Sequence, residues 1–325
     1  MPRIDVHHHF FSLLFIDKTK LNESIGWRMP SENLPWTPEI SLRFMDESHI
    51  DIAILSFVTI SSGEVGQENR DKIRKLNLMT KEICEKYPDR FGFFASLPIM
   101  DDVEGALAEI AYALDTLGAQ GIMMPSSCGV GDAAKYIGDD LYDPIWAELD
   151  KRNAVVHVHG AQTPSSTPFP HPFLGLPVSE VPNETFKAAS HLVVTGRKRK
   201  YANVKIILAH MGGSTPFLCS RVAVLSRHMG CELSPDEIIQ DFKTFYFDTA
   251  LSAHESTLGM MKTFVSRDRL LFGTDFPAIS TEMAGWYTKN LEDFYADDED
   301  ALDDIMYKNA LRLFPRLMDV STMDK

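Results

Sequence analysis

Arg3-Ile4-Asp5-Val6-His7-His8-His9 stands near the start of this 325-residue chain, an apolar run leading into a His-Xaa-His pair. Within a β-strand, residues two apart face the same side. His7 and His9 can therefore turn toward one metal ion. Three more apolar runs end in similar side chains. His157 and His159 close one, His210 follows another in Ala209-His210-Met211-Gly212-Gly213, and Asp275 follows the last in Phe272-Gly273-Thr274-Asp275-Phe276-Pro277. Strand ends so far apart in sequence converge only if the strands close on themselves. The expectation is an α/β chain folded as a (β/α)8 TIM barrel, with a metal site at its C-terminal mouth.

Working outward from these runs, eight strand-like stretches are found: 3–6, 52–58, 91–97, 120–124, 154–159, 204–209, 245–248 and 269–273. Most are short, apolar and β-branched or aromatic, as barrel strands buried on both faces should be. Helical patterns fill most gaps. Residues 69–87 place Ile73, Leu76, Met79, Thr80 and Ile83 on one stripe, and 103–117 do the same with Leu107, Ile110, Ala111 and Leu114. Asp143 and Pro144 read as the cap and first turn of another helix, which ends near Lys151, Arg152 and Asn153. Strand and helix alternate throughout, the pattern of a parallel sheet. Two long Pro-rich segments, 11–36 and 162–182, follow strands that end in candidate ligands, so extended βα loops are expected to build a pocket or lid there. No repeat or linker divides the chain, and one barrel domain is expected over residues 1–325. The polar tail from Asp319 reads as frayed.

A net charge of −14 argues against nucleic acid as a partner. Cys84, Cys128, Cys219 and Cys231 form no paired spacing and read as reduced, buried thiols. There is no apolar signal-peptide core and no run of about 18 apolar residues. A cytoplasmic enzyme without a membrane partner is the expectation. The basic run Arg197-Lys198-Arg199-Lys200 reads as a solvated helix end.

Imidazoles with one carboxylate suit Zn2+ or a similar first-row ion and leave a position open for water or substrate. His7, His9, His159 and Asp275 supply that set. His157 shares a face with His159, but the ligand should lie at the strand's end, so His157 is expected one layer down, packed or hydrogen-bonded. The fourth strand, Gly121-Ile122-Met123-Met124-Pro125, has no Lys or Glu to bridge two ions, which favours one metal. His210 is left free for general acid/base work, and Asp275 could share it if one oxygen is free. His8 alternates away from its neighbours and reads as structural. His49, His191, His228 and His254 read as ordinary core or surface residues.

At these residues the chain resembles the metal-dependent decarboxylase branch of the amidohydrolase superfamily, typified by 2-amino-3-carboxymuconate-6-semialdehyde decarboxylase. The resemblance extends over nearly the whole chain. It includes the segment Trp36 to Asp46, the strand-three stretch Arg90 to Pro98, the stretch His210 to Arg221, and the stretch Lys308 to Phe314. It implies His7, His9, His159 and Asp275 as metal ligands and His210 as the catalytic histidine. It also implies a homodimer in which Arg221 reaches the neighbouring subunit's site to hold a substrate carboxylate, a task that suits guanidinium geometry. The segment between Phe11 and Trp36 is shorter than in the semialdehyde decarboxylase and does not clearly keep its second carboxylate-binding arginine. Arg28 could substitute, and Phe10, Phe11 and the stretch Gly26 to Pro30 suit a flat ring.

The implied reaction is non-oxidative decarboxylation of an ortho-hydroxy aromatic acid with one carboxylate. 6-Methylsalicylate, giving m-cresol and CO2 in polyketide metabolism, is the expected substrate. The expected cofactor is one divalent metal, Zn2+ or else Mn2+, with no organic cofactor. The competing expectations are a decarboxylase of another hydroxybenzoate and a metal-dependent lactonase or amidase. A hydratase of the same branch and a non-catalytic metal-binding scaffold are further alternatives.

Overall fold

The computed structural model describes residues 1–11, 26–57, 61–161 and 170–317. Parts of the two Pro-rich segments (12–25 and 162–169), Val58 and the tail from Asp319 lie outside the described residues. All eight expected strands are present: β1 (Ile4–Phe10), β2 (Ile52–Phe57), β3 (Phe91–Ser96), β4 (Gly121–Pro125), β5 (Val155–His159), β6 (Lys205–Leu208), β7 (Tyr246–Asp248) and β8 (Leu270–Leu271). They form one parallel sheet in chain order. Closure comes from the Val6 amide donating to the Phe272 carbonyl at 3.0 Å and the Asp275 amide donating to the His7 carbonyl at 2.8 Å. The fold is therefore the expected barrel. β1 departs most from expectation, since it runs on through both candidate ligand histidines to Phe10.

The outer layer comprises α1 (Pro38–Glu47), α2 (Gln67–Lys86), α3 (Val103–Ala111), α4 (Asp143–Lys151), α5 (Leu176–Val194), the short α6 (Arg197–Lys200), α7 (Thr215–His228), α8 (Pro235–Phe242), α9 (Glu255–Phe264) and α10 (Thr281–Phe294). Two short helices, α11 (Glu299–Asp303) and α12 (Asn309–Leu313), follow. The apolar stripes predicted on α2 and α3 bury Ile73, Leu76, Thr80 and Ile110. Asp143 is the first residue of α4 rather than its cap. Its carboxylate serves elsewhere, accepting from Arg197 Nε at 2.9 Å and Lys200 Nζ at 2.7 Å. The basic run is thus a pinned turn, with Arg197 and Lys198 buried, rather than a solvated end. Asn153 closes α4 in the left-handed region at φ 52°, a conformation Asn tolerates.

Two apolar layers hold the molecule together. One lies between strands and helices. The other fills the barrel with Ile4, Val6, Ile52, Ile54, Phe94, Met123, Val155, Ile207 and Leu271, and is stoppered from the N-terminal end by Ala310, Phe314 and Leu317. Phe314 meets Phe94 with ring centroids 5.8 Å apart. A filled lower barrel leaves only the upper end for polar groups, which is where the candidate ligands lie.

Candidate metal centre

Strict alternation along β1 would put Val6 and His7 on opposite faces. A bulge changes this: Asp5 pairs with Ala53 and His8 with Leu55, so Val6 and His7 together oppose one residue of β2. Val6 joins the barrel interior, His7 and His9 point inward above it, and His8 and Phe10 turn out to the helices. Bulges next to active sites re-aim side chains in this way. His8 is held by Asp5 at 3.0 Å and by the Ser41 hydroxyl of α1 at 2.9 Å. Gly273 makes room for His7, since a Cβ there would lie 2.9 Å from the Cβ of His7.

His7, His9, His159 and Asp275 converge, with one donor atom from each lying within 4.8 Å of all the others. His7 Nε2 is 3.1 Å from His9 Nε2, and Asp275 Oδ1 lies 3.4 Å and 3.2 Å from the two. The other ring nitrogens are occupied. His7 Nδ1 donates to Asp248 at 3.0 Å, His9 Nδ1 to the Ser56 carbonyl at 3.2 Å, and His159 Nδ1 to the Gly160 carbonyl at 2.9 Å. In its neutral form each imidazole so arranged leaves a bare lone pair on Nε2. Three lone pairs and a carboxylate facing one point repel one another unless a cation sits between them. The residues present therefore fit a divalent metal, and the acceptors on each Nδ1 hold the rings in the orientation that ligation needs.

His210 stands beside this cluster, its ring 4.9 Å from that of His7 and 5.1 Å from that of His159. Its Nδ1 donates to the Ala250 carbonyl at 3.2 Å, leaving Nε2 as an acceptor toward the site. His210, Met211 and Asp275 all have positive φ (56°, 53° and 67°), and strain of this kind in non-glycine residues is characteristic of functional sites. Gly213, at φ 58°, lets the loop after β6 pack against the Pro182 carbonyl of α5, where any side chain would collide.

Burial pushes His159 and His210 toward their neutral forms and lowers His157 to about 4. Burial would lower His7 as well, but the carboxylates of Asp248 and Asp275 outweigh it and raise that imidazole to about 9. The same negative field attracts any cation. Burial works against charge on Asp275 and Asp248, yet His7 and its neighbouring histidines hold both well below the usual carboxylate range.

The other expected residues are more scattered. His157 lies one layer below His159, its Nε2 2.8 Å from Asp248. Phe10 is fully buried, its ring centroid 5.7 Å from Trp36 and 5.5 Å from Phe57. Arg28 is exposed, but its neighbour Trp27 donates to the Ala278 carbonyl at 2.9 Å. Asn33 likewise donates to Pro277 and Ile279, so this segment is pinned to the loop that carries Asp275. Arg221 is exposed on α7 and has no ion pair among the described residues. Sequence reasoning missed Asp248. Its signal was an acidic residue ending a strand two positions after Tyr246, in the same inward register as the ligands.

The amidohydrolase family pattern matches residues 4–316. The chain belongs to the amidohydrolase family. It is 35% identical to a 6-methylsalicylic acid decarboxylase of Aspergillus aculeatus, over 97% of this chain and 96% of that one. It is 34% identical to a 6-methylsalicylic acid decarboxylase of Penicillium expansum, over 98% of each. Among solved structures, a dihydroxybenzoic acid decarboxylase from Polaromonas with bound manganese and the inhibitor 2-nitroresorcinol superposes with a TM-score of 0.79 at 25% identity, over 97% of each chain. The decarboxylase branch expected from the motifs is thus the one its relatives occupy.

Proposed function

We propose that this chain is a metal-dependent, non-oxidative decarboxylase that converts 6-methylsalicylate to m-cresol and CO2. The observation that carries the reading is the convergence of three Nε2 lone pairs and one carboxylate beside His210, in a chain about one-third identical over nearly its full length to two such decarboxylases. His7, His9, His159 and Asp275 would hold the metal. Three imidazoles and a carboxylate suit Zn2+, and the manganese bound in the Polaromonas structure makes Mn2+ the second reading. A bound divalent ion supplies positive charge that orients the substrate's carboxylate and ortho-oxygen and stabilises charge developing on that oxygen.

The remaining chemistry belongs to side chains. Asp275 directs Oδ1 at the histidines and is the most exposed of the four ligands, at 7%. Its free oxygen is the group best placed to deliver a proton to the ring carbon bearing the carboxylate. Asp275 is ionised at rest and His210 keeps its one proton on Nδ1, so His210 Nε2 would first take up a proton from solvent and relay it to Asp275. With the new C–H bond formed, the C–C bond to the carboxylate breaks, CO2 leaves, and the bonding pair restores the aromatic ring. The pinned segment bearing Arg28 suits the wall of a pocket for a flat ring, whereas Phe10, turned outward and fully buried against Trp36 and Phe57, is a core residue rather than the substrate contact expected from the sequence.

Arg221 fits a homodimer in which it serves the neighbouring subunit. It is exposed among Phe217, Val224, Leu225 and Met229, and Phe217 and Met229 are 71% and 82% exposed. Apolar patches of this kind mark association surfaces. The test of the whole reading is turnover of metal-analysed protein on 6-methylsalicylate, followed by CO2 and m-cresol and repeated after chelation. Turnover lost on chelation and restored by metal is the expected result. A metal-loaded chain that leaves 6-methylsalicylate intact overturns the substrate.

A further inference from the structure

Asp248 is fully buried at the end of β7 and receives four hydrogen bonds. His7 Nδ1 and His157 Nε2 reach Oδ2 at 3.0 Å and 2.8 Å, and the backbone amides of His210 and Ala250 reach Oδ1 at 3.0 Å and 3.1 Å. One carboxylate thus touches a candidate ligand and the backbone of the candidate acid/base. We infer that Asp248 and His157 are positioning residues for the metal-dependent reaction proposed above, and the inference rests on that reading.

The direction of each bond follows from the acceptor. A carboxylate oxygen can only accept, so His7 carries its proton on Nδ1 and presents Nε2 to the metal. Carboxylate–histidine–metal chains fix ligand tautomer and ring orientation in this way. The amide bond to Oδ1 anchors His210, whose φ of 56° would otherwise relax. His157 is harder to explain as packing. Its Nε2 must donate to Asp248, while its Nδ1 is buried with no partner among the described residues. An orphaned polar atom destabilises a core, and beside Phe94, whose ring centroid is 5.5 Å away, an apolar side chain would do better. The useful part of His157 is its single donor. Sharing Oδ2 with His7, it fixes the plane of the carboxylate and leaves Oδ1 for the two amides. A neutral imidazole has one ring lone pair, and His7 directs that pair from Nε2 at the first site, so its Nδ1–H joins Asp248 and His157 in a hydrogen-bonded network.

The test compares Asp248→Asn, His157→Phe and His157→Gln with the unaltered chain. The readouts are Zn2+ affinity by chelator competition, kcat and KM on 6-methylsalicylate, and thermal midpoint. Asp248→Asn should weaken Zn2+ binding about 10- to 100-fold and lower kcat more than it raises KM. His157→Phe should weaken Zn2+ binding while keeping or raising the midpoint. His157→Gln, whose amide can still donate, should recover most of the affinity. Parent-like Zn2+ affinity in both Asp248→Asn and His157→Phe overturns the inference. So does a joint fall of midpoint and affinity in His157→Phe that His157→Gln does not repair. If Asp248→Asn does not fold, the two His157 variants decide. The Zn2+ arm reads positioning even if the unaltered chain ignores 6-methylsalicylate, so failure of the substrate reading is told apart from failure of this one.

Discussion

Asp275 sits where backbone strain, burial and three histidines meet. Its amide is tied to the His7 carbonyl in the barrel seam, and its side chain faces His7 and His9. Replacing it with Asn keeps the size and the backbone bond but removes the charge and the proton-accepting oxygen. Asp275→Asn should retain the fold, seen as an unchanged far-ultraviolet spectrum, and lose at least about 10²-fold in kcat. Full turnover in that variant would remove Asp275 from the proton path. The candidate ligands His7 and His9 were legible in the sequence because a two-residue period is a local property. The bulge between Asp5 and His8 was not, since it is defined by the register against β2 rather than by β1 alone.

The short helix α6 shows how a charged run can be read correctly as helical and wrongly as solvated. Arg197 and Lys198 are buried where α6 packs against the end of α5, with side-chain contacts to the first residue of α4 and to Phe245 just before β7. Arg197 and Lys200 bond Asp143, and Lys198 Nζ lies 5.4 Å from the Phe245 ring centroid. Burial lowers the Lys198 ammonium to about 8 despite Asp241 nearby. The unfolded chain then binds more protons than the folded one between pH 8 and the ordinary lysine value. Stability should rise with pH through that window, and the full penalty applies below it. Lys198→Met should therefore stabilise the protein at pH 7 by about 2 kcal/mol, and the gain should shrink toward pH 10. Urea midpoints at pH 7 and pH 9.5 measure it, and an equal gain at both would show that packing rather than charge was responsible.

For the proposed dimer, the issue is which molecule Arg221 serves. It lies on an exposed, largely apolar face of α7, far in character from the polar barrel mouth. Mixing Arg221→Ala subunits with His159→Ala subunits should restore activity that neither variant has, because one site in each mixed dimer would have both an intact metal site and its neighbour's arginine. Verified heterodimers without activity would count against shared sites. The chain should also elute as a dimer in size-exclusion chromatography with light scattering, and a monomer that retained full turnover would remove the shared arginine from the mechanism.

The linear order of residues determined the strand count, the alternation with helices, the parallel sheet, and the choice of His7, His9, His159, His210 and Asp275 as candidate site residues. These depend on local periodicity and on which side chains can bind a metal, both written in neighbouring positions. Tertiary structure alone decided the inward turn of His7 through the bulge, the clearance at Gly273, the seam that joins Asp275 to His7, and the convergence of His7, His157 and the His210 amide on Asp248. Each depends on contacts between segments tens to hundreds of residues apart. Closing the barrel brings them together, and no single stretch of the chain carries that information.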